Sequence, residues 1–269
     1  MRIQGSTKVV AVIGDPVSHS LSPLMHNTAF AVLGLDAVYV AWPTTPGALP
    51  HVLRAFEATS VAGNITVPHK IAASQLIVRK SDIAKQLDAI NTFWADGSRL
   101  VGDNTDVAGI AHGLEQVDAE GPWLLAGTGG SARAVVGAAA SAGVRLLIRS
   151  RQAMRARDFV DWCKSLGVDA RVDDGRSVGT AINTTPLGMN VDDAHPIPAG
   201  RLDGCRAVLD LVYRPGETLW CRDCRARGMR AIDGRVVLVE QGAQALERFF
   251  PGVEAPRQAM RGVVEGALS

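Results

Sequence analysis

The sequence predicts a two-domain α/β protein, and three observations carry that expectation. Predicted strands and helices alternate along most of the chain, which implies mostly parallel sheets covered on both faces. At residues 124–134, LLAGTGGSARA, a strand passes through a glycine turn into a helix of small residues, the order that opens a nucleotide-binding unit. The chain has 269 residues, long enough for two domains, and its 47% hydrophobic and 20% charged residues suit a globular protein.

The elements follow in order. VVAVIG (9–14) is an apolar strand. SPLMHNTAFAVLGL (22–35) is a helix, with Ser22 as its cap, Pro23 in the first turn and Gly34 near its end. VYVAWP (38–43) is a strand, and ALPHVLRAFEAT (48–59) a helix that tolerates Pro50 only in its first turn. GNITV (63–67) is the third strand, since Ile, Thr and Val suit a pleated surface. Pro68 is expected to open the next helix, leaving Lys70 in its first turn. A helix N-terminus carries partial positive charge and favours acidic residues, so a lysine there is mildly unfavourable and calls for another reason. SDIAKQLDA and the hairpin NTFWADGSRLVGDN follow, with Asp96-Gly97 as the turn.

From Val107 a helix leads into the glycine turn. Strands are expected at 145–151, VDARV, TAINT and 207–213, with helices at QAMRARDFVDWCKSLG and ETLWCRDCRARG. Two further helices, VLVEQGAQALERFF and RQAMRGVVEGAL, close the chain. A domain boundary is expected near Asp106.

Composition removes several classes of function. The net charge is +1 and no block of like charges occurs, so neither nucleic acid nor an anionic membrane is an expected partner. No apolar run approaches a membrane span, and MRIQGSTKVVAVIGDP lacks the apolar core of a signal peptide, so a cytoplasmic location is expected. Of the four cysteines, only Cys221 and Cys224 have ligand-like spacing. A zinc site needs a second pair or nearby histidines, so reduced thiols and no metal are expected.

In the glycine turn, Gly127 permits the tight bend and Gly129 lets a pyrophosphate approach the backbone. Gly130 or Ala132 keeps the helix close to the sheet. The helix N-terminus offers free N–H groups to phosphate. An enzyme using NAD usually carries a carboxylate at the end of the following strand, for the ribose hydroxyl. Here the residues are Ile148-Arg149-Ser150-Arg151. Arg149 and Arg151 suit a 2′-phosphate, because a planar guanidinium gives paired, charge-assisted bonds, and NADP is the expected cofactor.

The N-terminal half gathers small polar residues at predicted strand ends: Ser18 and Ser20, Asn64 and Thr66, Asn91, then Asn104, Thr105 and Asp106. Loops after parallel strands meet at one sheet edge, where ligands bind. Such a group suits a small polyhydroxylated acid. Lys70 and Asp106 together suggest a proton-transfer pair, although Asp106 also reads as a helix cap and Lys70 as a surface residue.

Eight segments, GDPVSHSLSPLMHN, GNITVPHK, DAINT, GDNTD, GTGGSAR, NTTPLGM, DLVYRP and EQGAQALERF, occur in the order in which they resemble the shikimate dehydrogenase family. The resemblance spans nearly the whole chain. It implies reversible reduction of 3-dehydroshikimate to shikimate by NADPH, on the way to aromatic amino acids. It makes Lys70 and Asp106 the catalytic pair and places Ser18 and Ser20 on the substrate carboxylate. Asn64, Thr66, Asn91 and Gln241 would bind ring hydroxyls, and Tyr213 would lie near the substrate where the domains face each other. Ser131 would belong to the cofactor turn, and Thr185 and Met189 of NTTPLGM would lie beside the cofactor, with Met189 close to the nicotinamide. The implied domains are 1–106 plus about 238–269 for substrate and 107–237 for NADP, in a monomer or a homodimer. Two departures stand out. Ile148 replaces a usual asparagine before the cofactor arginine. Val236-Val237 replaces a usual Gly-Met, where branched side chains are expected to narrow the nicotinamide pocket or alter the hydride geometry. The alternatives are a relative acting on quinate or aminoshikimate, or a non-catalytic metabolite-binding protein.

Overall fold

Two six-stranded sheets organise the chain in a computed structural model that describes residues 3–269. The chain divides into two units: Met1–Asp106 with Leu238–Ala267, and Val107–Val237 with Leu268–Ser269.

The first unit opens with β1 (Lys8–Gly14), α1 (Ser22–Leu33), β2 (Ala37–Pro43), α2 (Leu49–Thr59) and β3 (Ala62–Ile65). It continues through α3 (Lys70–Leu76), β4 (Arg79–Lys80), α4 (Asp82–Leu87), β5 (Thr92–Asp96) and β6 (Arg99–Asp103). The strand order is β2-β1-β3-β5-β6-β4. β1 pairs in parallel with β2 and β3, and β4 with β6; β5 is antiparallel to β6, as the expected hairpin requires, and also to β3, so the sheet is mixed. That reversal has a use. It brings the start of β5 and the end of β6 to the edge where β3 ends, with Asn64 opposite Thr92 and Thr92 opposite Asp103. Gly63 is required between β1 and β5, since a Cβ there would lie 2.0 Å from the Ala11 carbonyl oxygen. Ile13, Phe56, Ile65 and Phe93 fill one face of the sheet, and the Phe56 and Phe93 rings stack at 6.0 Å.

Several boundaries differ from the sequence reading. β3 ends at Ile65, and Thr66, Val67 and Pro68 form a link with a cis Val67-Pro68 bond. Helix α3 therefore begins at Lys70 itself, not at Pro68. The hairpin turn is Gly97-Ser98, because Asp96 still pairs with Arg99, and Gly97 takes the left-handed conformation at φ +64°. Ser22 is the first residue of α1 and not its cap; its N–H donates to Ser20 Oγ at 3.2 Å.

The second unit contains α5 (Asp106–Gln116, entered from the first unit), β7 (Trp123–Ala126), α6 (Gly130–Ala142), β8 (Leu146–Arg149), α7 (Ala153–Ser165) and β9 (Ala170–Val172). Then come β10 (Thr180–Asn183), a 3-10 turn (Ala199–Leu202), β11 (Ala207–Asp210), α8 (Leu219–Ala226) and β12 (Arg230–Ile232). The order β12-β11-β10-β7-β8-β9, with every pairing parallel, is a doubly wound sheet whose strand order reverses beside β7. Adjacent residues point to opposite faces: Leu125 and Ile148 enter one core cluster, and Leu124 and Leu147 the other. α9 (Arg235–Phe249) starts in this unit and continues in the first, and α10 (Arg257–Leu268) follows.

Two of the departing residues, Ile148 and Val237, lie in the second unit's core. The Ile148 side chain is wholly buried in the second unit's core. Val237 is buried in the same cluster, where Gly113 leaves room for it, so its branched side chain fills core space. All four cysteines are buried free thiols in this unit. Burial pushes Cys163 and Cys224 each up to about 12, and raises Cys205 and Cys221 as well.

Candidate functional site

In the first unit, a hydrogen-bonded cluster forms at the edge where β1 and β3 end. Lys70 Nζ donates to Asp106 Oδ2 at 2.5 Å, and their side chains are only 12% and 10% exposed. Each residue begins a helix: Lys70 opens α3 and Asp106 opens α5. The carboxylate suits its helix end and the ammonium does not, so the ion pair offsets the misplaced charge of Lys70.

Asn91 holds this pair from the other side. The Thr105 backbone N–H can only donate, and it lies 2.7 Å from Asn91 Oδ1. That contact fixes the amide orientation and leaves Nδ2 to donate to Asp106 Oδ1 at 2.7 Å. Asn91 Nδ2 also approaches Thr105 Oγ1 at 3.0 Å and Gln241 Oε1 at 3.3 Å. Asn64 is tied in by Nδ2 contacts to the Asn91 carbonyl (3.2 Å) and Thr92 Oγ1 (3.0 Å). Tyr39 donates its hydroxyl to Asn64 Oδ1 at 2.7 Å and is hydrogen-bonded to Ser22. Asn64, Asn91, Thr105, Asp106 and Gln241 are thus brought together beside Lys70. Thr66 is half-buried in the link after β3; Ser18 is exposed and Ser20 half-buried in the loop after β1.

Two contributors lay outside the sequence reading. Tyr39 is a fully buried strand residue, and a buried phenol needs a partner for its hydroxyl, which was the available signal. His69 is buried before Lys70, and its ring Nε2 lies 2.6 Å from the Thr44 carbonyl. A carbonyl only accepts, so Nε2 carries the proton, and the contact pins the start of α3 to the loop after β2.

In the second unit, the turn after β7 fits a dinucleotide pyrophosphate. Gly127 adopts φ +114°, where a side chain is strained, and a Cβ there would meet Thr184 Oγ1 at 2.3 Å. At Gly129 a Cβ would meet nothing within 4 Å, so the backbone is open to an incoming group beside the thirteen-residue helix α6. Gly130, Ser131 and Ala132 form the first turn of that helix, Ala132 being buried against the sheet. Arg149 ends β8, and Arg151 is exposed two residues on. Asn183 Oδ1 accepts from Thr185 N (2.9 Å) and Oγ1 (2.7 Å), while its Nδ2 donates to the Leu187 carbonyl (3.0 Å) and Asp210 Oδ1 (2.8 Å). These bonds shape the segment that ends at Met189, which is 44% exposed. Tyr213 is half-buried three residues after β11.

Asp210 is fully buried, and burial pushes its carboxyl up to about 6. The unfolded chain releases that proton near pH 4, so folded stability falls as pH rises from about 4 to about 6, by at most about 3 kcal/mol. Asp210→Asn keeps an oxygen for the Asn183 amide and the Val212 N–H and removes the charge. Urea unfolding of the variant at a series of pH values is expected to lose that decline.

Comparison with known proteins adds family evidence. The family described as the shikimate dehydrogenase substrate binding domain matches residues 12–93. A shikimate dehydrogenase (NADP(+)) of Thermosynechococcus vestitus is 37% identical over 281 residues, covering 99% of this chain and 98% of its own. The structure of Thermus thermophilus shikimate 5-dehydrogenase in complex with NADP(H) and shikimate has a TM-score of 0.88 and 34% identity, covering 97% of this chain and 100% of that one. A shikimate dehydrogenase crystallised in complex with NADP+ has a TM-score of 0.90 and 30% identity, covering 100% and 98%.

Proposed function

The chain belongs to the shikimate dehydrogenase family, and from that premise we propose that it catalyses the reversible NADPH-dependent reduction of 3-dehydroshikimate to shikimate, toward chorismate and the aromatic amino acids. The observation that carries this reading is the Lys70–Asp106–Asn91 cluster, a buried ammonium and carboxylate held in fixed orientation.

When bound, NADPH would supply a hydride for the C3 carbonyl carbon. Lys70 donates a proton to the carbonyl oxygen as the alcohol forms, and takes it back in the oxidative direction. Asp106 holds the ammonium and accepts a hydrogen bond from the new hydroxyl. Asn91 keeps the carboxylate from rotating away. Ser18 and Ser20 bind the substrate carboxylate, and Asn64, Thr66, Asn91 and Gln241 bind ring hydroxyls. Gly127, Gly129, Gly130, Ser131 and Ala132 receive the pyrophosphate, and Arg149 and Arg151 the 2′-phosphate. Thr185, Met189 and Tyr213 attend the nicotinamide and substrate. The first unit is the substrate domain and the second the NADP domain of a cytoplasmic enzyme that works as a monomer or homodimer.

The test is absorbance in the nicotinamide band, with shikimate or quinate offered alongside NADP or NAD. Rapid shikimate-dependent reduction of NADP is the expected result. Better reduction of NAD would remove the phosphate role from Arg149, and preference for quinate would change the substrate. No reduction with any pair would overturn the catalytic reading.

A further inference from the structure

The carboxylate missing from the end of β8 reappears one strand away, in a different role. Asp173 directly follows β9, and its backbone N–H donates to the Ile148 carbonyl at 2.9 Å, so the parallel register sets it beside Arg149. Its side chain is 6% exposed. Oδ2 accepts from Arg149 Nη1 at 3.0 Å. Oδ1 accepts from Arg201 Nε at 2.9 Å and Nη2 at 2.7 Å, and from the Gly175 N–H at 3.2 Å. Arg201, on the 3-10 turn, is 14% exposed and also donates to the Arg176 carbonyl; Arg149 remains 39% exposed. The inner arginine is held through Nε and Nη2, whereas the outer one bonds Asp173 through Nη1 alone and is more exposed.

We propose that Asp173, anchored by Arg201, is a positioning residue that aims Arg149 at the cofactor's 2′-phosphate and so sets the preference for NADP. The inference rests on the reading of Arg149 given above. Two arginines around one carboxylate leave a net positive charge, so the site still attracts phosphate. Locking one guanidinium edge spares the ordering cost of that side chain on binding.

Coulomb repulsion alone predicts the opposite sign, since removing Asp173 would take a negative charge from beside the phosphate. The measurement is calorimetric binding of 2′,5′-ADP and of 5′-ADP to the whole protein, as wild type, Asp173→Asn, Asp173→Ala, Arg149→Ala and the Asp173→Ala/Arg149→Ala double variant. The Asn variant keeps the side-chain size, so it reports even where Ala fails to fold. Wild type is expected to prefer 2′,5′-ADP, and each Asp173 variant to lose about ten-fold of that preference, the scale of a charge-assisted contact, with 5′-ADP affinity unchanged. In the Arg149→Ala background the Asp173 change is expected to have no further effect on the preference, a result a merely structural role would not give. Unchanged or tighter 2′,5′-ADP binding in the Asp173 variants, with Arg149→Ala impaired, would overturn the proposal alone. An Arg149→Ala protein that keeps its preference would instead overturn the Arg149 reading beneath it.

Discussion

Lys70→Ala is expected to lower turnover by about two to four orders of magnitude, the range typical of a lost proton-transfer group. The glycine turn and Arg149, proposed to receive the cofactor, belong to the other unit, so NADP affinity should change little. Asp106 would also lose the ammonium that satisfies Oδ2 while keeping the Asn91 bond on Oδ1. Asp106→Asn should be similarly impaired for a different reason. Both carboxylate oxygens accept from donors, and an amide would present its NH2 to either Lys70 or Asn91, so one donor is left facing another. Steady-state kinetics in the shikimate-oxidising direction, with circular dichroism to check the fold, decides the matter. Near-normal turnover in Lys70→Ala would remove the lysine from the chemistry.

The second large effect concerns acid stability. His26 lies on α1 with no exposed surface, its ring stacked on Tyr39 at 4.4 Å and neither ring nitrogen hydrogen-bonded. Burial pushes its pKa down to about 3. The unfolded chain takes up this proton near pH 6.5, so between about 6.5 and about 3 the unfolded state binds more protons and stability falls as pH falls. At pH 4 the cost reaches about 3 kcal/mol. His26→Phe keeps a ring on Tyr39 and removes the titration. Any overpacking penalty from the larger ring applies equally at all pH values, so the informative quantity is the change in unfolding free energy between pH 7 and pH 4. That change is expected to shrink by about 3 kcal/mol in urea titrations. An unaltered pH dependence would acquit His26. The slope is opposite in sign to that of Asp210, so these two groups respond oppositely to mild acid.

Much of this was legible in the sequence, for identifiable reasons. Strand–turn–helix alternation and the glycine turn are local patterns, and β7, α6 and β8 lie where they were expected. The antiparallel β5–β6 pair was expected from its hairpin turn, but the antiparallel pairing of β5 with β3 was not, because that pairing is a tertiary choice that hairpin residues do not encode. The two-residue strand β4 is held by its neighbour and has no periodicity of its own. The polar residues near Lys70 could be collected by their places at strand ends. The Tyr39–Asn64 bond and the Asn91 amide orientation depend on side chains 25 and 14–15 residues apart meeting in space, which spacing does not reveal. Asp173 escaped notice because a carboxylate after an edge strand looks like a solvated loop residue until Arg149 and Arg201 are seen around it.

The buried thiols give the molecule an internal clock. Only a thiolate reacts with alkylating reagents, and all four sulfurs are shielded and hard to ionise, so labelling must wait for the surrounding structure to open. Every one of them belongs to the same unit. The rate of alkylation therefore times the opening of that half of the protein, and stays silent while the half containing Lys70 breathes. Chemical modification of cysteine, usually a probe of local reactivity, becomes here a domain-resolved measure of unfolding.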